Sequence, residues 1–66
     1  MYSLWVCTTD HAKRINVRFA PEWLEFENFA EYVRTNLGEP RRGVMFTRVD
    51  PRLGYEPGNV QYKLRG

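Results

Sequence analysis

Asp50, Arg52, Tyr55 and Asn59 are spaced through one stretch near the C-terminus, FTRVDPRLGYEPGNVQYKL (46–64). A carboxylate, a guanidinium and an amide within one loop could belong to an active site. Asp and Asn are also common turn residues, because their side chains bond to nearby backbone groups. The spacing is therefore compatible with an active site, with the remains of one, or with a turn that closes a small sheet.

Cys7, Asp10 and His11 form a second cluster of reactive side chains. A Cys-x3-His pair supplies two zinc ligands, whereas a structural zinc needs four. His11 is the only histidine and Ser3 the only serine, so the chain offers no Ser-His-Asp triad. The sequence predicts no catalytic residue, no bound metal and no cofactor, and we expect His11 to be solvated.

Four segments are predicted as β-strands, the first with apolar residues on both faces and the others with side chains that alternate between two faces. They are Tyr2–Thr8, Ile15–Phe19, Val44–Val49 and Val60–Leu64. The turn-like segment 9–12 would join the first two strands as a hairpin, and Pro57-Gly58 marks a turn just before the last strand.

One amphipathic helix is predicted over residues 21–37. Pro21 suits the first helical turn, and Gly38 offers a left-handed cap with Pro40 just beyond. At 100° per residue one apolar stripe forms, made of Trp23, Phe26, Phe29, Ala30, Val33 and Leu37. The predicted fold is a single α+β domain (1–66) of order β-β-α-β-β, with a small antiparallel sheet packed against this helix.

The opposite face of that helix carries Leu24, Asn28 and Tyr32 at positions i, i+4 and i+8. Exposed apolar side chains on one face could contact a partner. They could also be isolated exposed residues, or could contact a neighbouring loop.

The composition bounds the class of protein. A chain of 66 residues forms one domain at most and has a thin core. A single cysteine, Cys7, excludes an internal disulfide and indicates a reducing compartment. No apolar run approaches the roughly 20 residues that span a bilayer, and the N-terminus lacks the pattern of a signal peptide. We expect a cytoplasmic protein without a membrane partner, either a monomer or a homodimer.

The net charge of +2 is unevenly distributed. Residues 1–20 carry +2, residues 21–40 carry −4, and residues 41–66 carry +4. An acidic middle between basic ends indicates oriented binding to a charged partner, although a small domain also needs surface charge of both signs.

Two stretches, NVRFAPEWLEFENFAEYVRTNLGEP (16–40) and TRVDPRLGYEPGNVQY (47–62), resemble small phage-borne HNH endonucleases. The matching residues are Trp23, Phe26, Asn28, Phe29, Gly38, Pro40, Arg48, Asp50, Gly54, Tyr55, Pro57 and Asn59. The resemblance implies a ββα-metal ancestry with an HNH-like hairpin at the C-terminus. In active relatives a histidine on the first strand activates water, the asparagine orients it, and a divalent cation stabilises the developing charge.

The sequence departs from that pattern at three points. Arg48 stands near the place of the histidine and cannot accept a proton at neutral pH. Thr47 replaces the carboxylate that usually precedes it. The sequence ends at Gly66, so we expect no third element carrying a further metal ligand.

Three functions follow as hypotheses. The first is a non-catalytic phage-type accessory protein that binds and blocks a host or defence-system protein, such as a nuclease complex. The second is a DNA- or RNA-binding module in which Lys63 and Arg65 assist the arginines and Tyr55 or Tyr62 stacks. The third is an HNH nicking endonuclease completed by oligomerisation. The predicted binding residues are Arg41, Arg42, Arg48, Arg52 and Tyr55, with Leu24, Asn28 and Tyr32 on the helix.

Overall fold

The structure of the protein, a computed structural model, describes residues 1–64. The elements are helix α1 (Tyr2–Ile15), a 3-10 turn (Pro21–Leu24), helix α2 (Phe26–Asn36) and strands β1 (Val44–Arg48) and β2 (Val60–Leu64). The two strands form an antiparallel sheet. The fold is therefore a small α+β fold with two helices and a two-stranded antiparallel sheet.

The predicted N-terminal strands Tyr2–Thr8 and Ile15–Phe19 are wrong, and with them the order β-β-α-β-β. Residues 2–15 form one continuous helix instead. Leu4, Trp5, Thr8 and Ala12 also recur at helical spacing, and this face turns inward, with Thr8 and Ala12 buried. A short apolar run can fit both the two-residue period of a strand and the 3.6-residue period of a helix. In this fold the helix is favoured because its apolar face packs against α2.

The last turn of α1 contains the signals that end a helix. Lys13 and Arg14 lie where cations interact favourably with the helix dipole, and Arg14 pairs with Asp10 one turn earlier at 2.7 Å. Asn16 then adopts a left-handed conformation (φ 57°), and its N–H and that of Val17 bond back to the helix. Residues beyond Asn16 consequently leave α1 in an extended path.

The predicted helix 21–37 is present but is broken at Glu25, which is extended (φ −86°, ψ 117°). In an unbroken helix the carbonyl of Trp23 would accept from the amide four residues on. Here it accepts from the indole N–H of Trp5 at 2.8 Å. The break therefore ties the 3-10 turn to α1. At the other end Gly38 is left-handed (φ 86°) and its N–H bonds to Val33, so the predicted cap is confirmed.

The core is built from aromatic rings of every element. Trp23, Phe29 and Val33 are the largest fully buried side chains. Phe29 lies 5.5 Å from the Trp23 ring and 5.7 Å from the Phe46 ring, both in edge-to-face geometry. Phe29 of α2 therefore links the 3-10 turn to the sheet, and Phe26 of the same helix contacts the Trp5 ring of α1 at 5.6 Å.

The C-terminal hairpin confirms the two predicted strands, with β1 ending one residue earlier than expected. Phe46 pairs with Tyr62 in the register and both rings face the core. The Tyr62 hydroxyl donates to the carbonyl of Gly38 at 2.7 Å. Burial, and secondly the charge of Glu39, raise the pKa of Tyr62, so the hydroxyl stays a donor at neutral pH. None of the helices within residues 1–64 has the length and apolar character needed to cross a membrane.

We expect Phe29→Ala to lower the free energy of unfolding by about 3–5 kcal/mol, because it removes a fully buried ring. Such a loss approaches the whole stability of a small domain, about 5–15 kcal/mol. Thermal unfolding followed by circular dichroism measures it. Leu24→Ala is the matched control, since Leu24 is 63% exposed and should change stability by no more than about 0.5 kcal/mol. Equal losses in both variants would place the core elsewhere.

Candidate functional site

The amide of Asn59 lies at the centre of the loop between β1 and β2. Its Oδ1 accepts from the N–H of Asp50 at 2.8 Å. Its Nδ2 donates to the carbonyls of Asp50 at 3.1 Å and Gly54 at 2.8 Å. Both amide protons and the oxygen therefore bond to backbone, and the residue is only 5% exposed. Asn59 therefore holds the loop together, and its Nδ2 has no further N–H to donate to a ligand.

Arg48, the last residue of β1, holds the same loop from another side. Its guanidinium donates to the carbonyls of Pro51 at 2.8 Å and Leu53 at 3.0 Å. The guanidinium carbon also lies 5.6 Å from the centre of the Tyr55 ring, within reach of a cation–π interaction. The predicted binding residue Arg48 is consequently engaged inside the protein.

Asp50 and Arg52 form a compact turn at the loop tip. The Asp50 carboxylate accepts from the backbone N–H of Arg52 at 2.9 Å and from its guanidinium at 3.1 Å. The bonds from the guanidinium, and then that from the backbone N–H, hold the pKa of Asp50 below its ordinary value of 3.8. The Arg52 side chain is 87% exposed, so its outer surface remains accessible.

The loop docks on the extended segment between α1 and the 3-10 turn. The Tyr55 N–H bonds to the carbonyl of Arg18, and the Ala20 N–H bonds to the carbonyl of Tyr55, both at 2.8 Å. Gly54 touches that segment so closely that a Cβ would fall onto the Arg18 carbonyl and 2.7 Å from the Arg18 Cβ. Tyr55 itself is buried, so its ring is not available to stack on a base.

The predicted helix face Leu24, Asn28 and Tyr32 does not form one surface. The Tyr32 hydroxyl accepts from the N–H of Gly58 at 2.7 Å, so this residue contacts a neighbouring loop. Asn28 donates to the carbonyl of Glu22 across the helix break at 3.0 Å. Leu24 is exposed and lines a separate depression beside α1. The 3-10 geometry has turned Leu24 away from the other two residues.

Arg41, Arg42, Arg52 and Lys63 are the basic side chains of the C-terminal part that face solvent. Arg65 lies outside the described residues. The structure thus divides the predicted arginines into one that holds the loop, Arg48, and three that face outward. Sequence reasoning missed the positioning roles of Gly54 and Arg18. The Gly-Tyr pair was a signal for the first, whereas nothing in the sequence marked the second.

Cys7 and His11 lie one turn apart on the exposed side of α1, and the His11 ring is 6.5 Å from the Tyr55 ring. Within residues 1–64, no three His, Cys, Asp or Glu side chains come together in a group that could hold a metal ion. Asp50 and Asn59 approach one another only through the Asp50 backbone. The side chains that the structure brings together at the loop are therefore arranged to fix its shape.

We expect Asn59→Ala to lower the free energy of unfolding by at least about 2 kcal/mol, because each buried backbone group left without a partner costs about 1–3 kcal/mol. Asn28→Ala is the control, since its exposed amide makes a single bond and its removal should cost no more than about 0.5 kcal/mol. Urea unfolding of both variants measures the difference. An Asn59→Ala protein as stable as the wild type would contradict the structural role of this amide.

We expect the carboxyl carbon of Asp50 to titrate below pH 3.8 in an NMR experiment. Because the folded-state pKa is lowered, this group stabilises the fold above its unfolded pKa and loses that contribution as the pH falls through the folded value. Arg52→Gln should return the pKa towards 3.8 by removing the guanidinium. Lys63→Gln removes the same charge near the other end of the hairpin and should leave the titration unchanged.

Comparisons of the chain with protein-family models, with curated proteins and with solved structures found no match.

Proposed function

We propose that this chain is a non-catalytic, phage-type accessory protein that acts by occupying the surface of a host or defence-system protein, such as a nuclease complex. The observation that supports this proposal is that the polar side chains of the loop form their hydrogen bonds within the loop itself. Asn59 and Arg48 both bond to backbone carbonyls of their own loop. A phosphodiester would have to compete with those bonds for the same side chains.

The HNH-like character of the hairpin is part of the proposal and rests on the sequence resemblance. Arg48 ends β1 and Asn59 immediately precedes β2, so the two matching residues flank one loop. In an active relative these places would serve a metal and a proton transfer. In this chain the first place holds the guanidinium of Arg48, which accepts no proton. The second holds the amide of Asn59, which already bonds to three backbone groups. The arrangement supports an HNH-like protein in which the hairpin is retained and the catalytic groups are replaced.

The outward side of the loop has the composition of a protein contact. Val49 and Leu53 are 53% and 50% exposed, and the Arg52 side chain reaches solvent beside them. Arginine is enriched at protein interfaces, and exposed aliphatic side chains supply apolar area that a protein partner can bury. With Tyr55 buried, this loop offers no aromatic ring for base stacking. The surface therefore favours a protein partner over a single-stranded nucleic acid.

A nucleic-acid-binding role is the second candidate, and the exposure of Arg41, Arg42, Arg52 and Lys63 favours it. Binding through phosphates alone weakens steeply with salt, because counterions are released. Titration of labelled duplex DNA at two salt concentrations separates the two functions. Tight binding with a steep salt dependence would replace the proposal by this candidate.

The proposal is tested by expressing the protein in bacteria that carry a nuclease-based defence system and counting plaques of a restricted phage. We expect the wild-type protein to restore plating and Arg52→Gln/Leu53→Ser, on the outward side of the loop, to lose most of that effect. Lys13→Gln/Ile15→Ser is the matched control, with one charge and one exposed aliphatic side chain removed, and should retain it because these residues lie on α1. Loss in both variants would indicate a general effect of the substitutions and contradict the chosen surface.

Purified protein incubated with plasmid and Mg²⁺, Mn²⁺ or Zn²⁺ gives the second arm of this test. We expect no nicking above a chelator control. Nicking that follows the protein through gel filtration would refute the proposal and restore the HNH endonuclease completed by oligomerisation.

A further inference from the structure

Strand β1 has a free edge with unpaired backbone groups. The N–H of Val49 bonds to the carbonyl of Asn59, which continues the register of the hairpin by one step. In an antiparallel pair the bonded positions alternate, so Met45 and Thr47 bond to β2 while Phe46 points its N–H and C=O away from it. Outside the β1–β2 ladder, no backbone bond to the N–H or C=O of Phe46 occurs among residues 1–64. An edge of this kind can accept another strand.

An open groove of about 370 Å³ runs between α1 and this edge. On one wall are Val44, Met45 and Phe46, and no residue of β2 lines it, so the groove lies on the unpaired side of β1. The other wall is the α1 face with Ser3, Leu4, Cys7, Thr8 and His11. Its volume lies in the lower part of the range for ligand clefts, about 300–1,000 Å³. The groove offers an apolar strand wall with backbone donors and a mildly polar helix wall.

The charges around the groove are predominantly basic. The part of the chain from 41 to 64 carries five basic and two acidic side chains, and α1 carries two basic and one acidic side chain. Arg42 stands two residues before Val44 and Lys63 lies directly across from Met45, and both side chains are exposed. Among residues 1–64, no aspartate or glutamate lines the groove. The glutamates of α2 line other depressions, around Glu27 and Glu31. The electrostatics therefore select an acidic occupant.

We infer that the groove binds an extended, acidic peptide segment of a partner protein, which adds to β1 as a third strand. Main-chain bonds to Phe46 give the affinity, and alternate side chains of the segment contact the α1 wall or solvent. Arg42 and Lys63 beside the strand wall attract the acidic side chains and set specificity. This inference rests on the proposed function in one respect, that the protein acts by binding, and it names the chemistry of the bound segment.

The probe is a fluorescein-labelled eight-residue peptide that alternates Val and Glu, titrated with the purified protein and followed by fluorescence anisotropy. We expect binding that weakens as salt rises, because screening shortens the reach of the Arg42 and Lys63 charges. A peptide with Lys in place of Glu should not bind. The Val-Glu peptide with N-methyl groups on alternate residues should bind at least about tenfold more weakly, since it lacks the donors for strand pairing. Equal binding of the N-methylated peptide would overturn the inference.

The protein side is tested by filling the groove. Cys7→Trp places a large ring on the groove wall at an exposed position of α1, and Val6→Trp places the same ring one residue away, outside the groove. We expect Cys7→Trp to weaken peptide binding at least about tenfold and Val6→Trp to leave it within about twofold. Matching thermal midpoints for the two variants establish that both are folded. Equal affinities for the peptide would overturn the inference.

Amide hydrogen exchange locates the contact. We expect the Phe46 amide to exchange rapidly in the free protein and to become protected when the Val-Glu peptide is added. Protection that grows with protein concentration in the absence of peptide would mean that a second copy covers the edge, and would overturn the inference. The nicking and plating tests do not involve this peptide. A failed peptide titration with absent nicking and restored plating would therefore refute the groove alone.

Discussion

The side-chain amide of Asn59 is the constraint on which the rest of the structure depends. A two-stranded hairpin is marginally stable by itself in water, so β1 and β2 need support from outside the sheet. The amide fixes the loop between them by bonding to Asp50 and Gly54. Fixing Gly54 in turn places Tyr55 so that its backbone bonds to Arg18 and Ala20. One buried amide thus couples the hairpin to the segment that leaves α1.

That coupling explains how a chain with so little core keeps its elements together. The loop carries Tyr55 inward, and the Tyr55 ring lies 6.1–6.2 Å from the rings of Phe19 and Phe46. Phe19 belongs to the segment after α1, whereas Phe46 belongs to β1. The shape of the loop therefore places the Tyr55 ring between rings from distant parts of the sequence. Loop geometry and aromatic packing therefore stabilise each other, and a change in either should weaken both.

The sequence supports the C-terminal half of the fold better than the N-terminal half for a physical reason. Val60–Leu64 alternates cleanly and follows a Pro-Gly turn, so only one period and one boundary fit. Residues 2–15 lack glycine and proline, and their apolar positions fit two periods at once. Packing against α2 favours the helical conformation of residues 2–15 over a strand. No local pattern contains that information.

The sequence predicts which loop carries the candidate site, but it does not predict whether each side chain of that loop points inward or outward. Asp50, Arg52 and Asn59 are brought to one loop, as their spacing indicates. The buried state of Tyr55 depends on Arg18, which is 37 residues away in the chain, and the engagement of Arg48 depends on carbonyls whose direction the loop sets. Arginine is mostly exposed in folded proteins and tyrosine is intermediate, so the sequence alone predicted both side chains at the surface. Tertiary contact reversed that assumption at both positions.

The same contacts decide which chemistry the loop can offer. Releasing the Asn59 amide to orient a reactant would leave the N–H of Asp50 and the carbonyl of Gly54 without partners in a part-buried loop. Releasing Arg48 would remove the bonds that hold Pro51 and Leu53, together with its contact to Tyr55. Any use of either group in catalysis would therefore loosen the loop that presents it. Groups that already face solvent, such as Arg52 and Leu53, can meet a partner without that cost, and this difference is the physical basis of the proposed binding role.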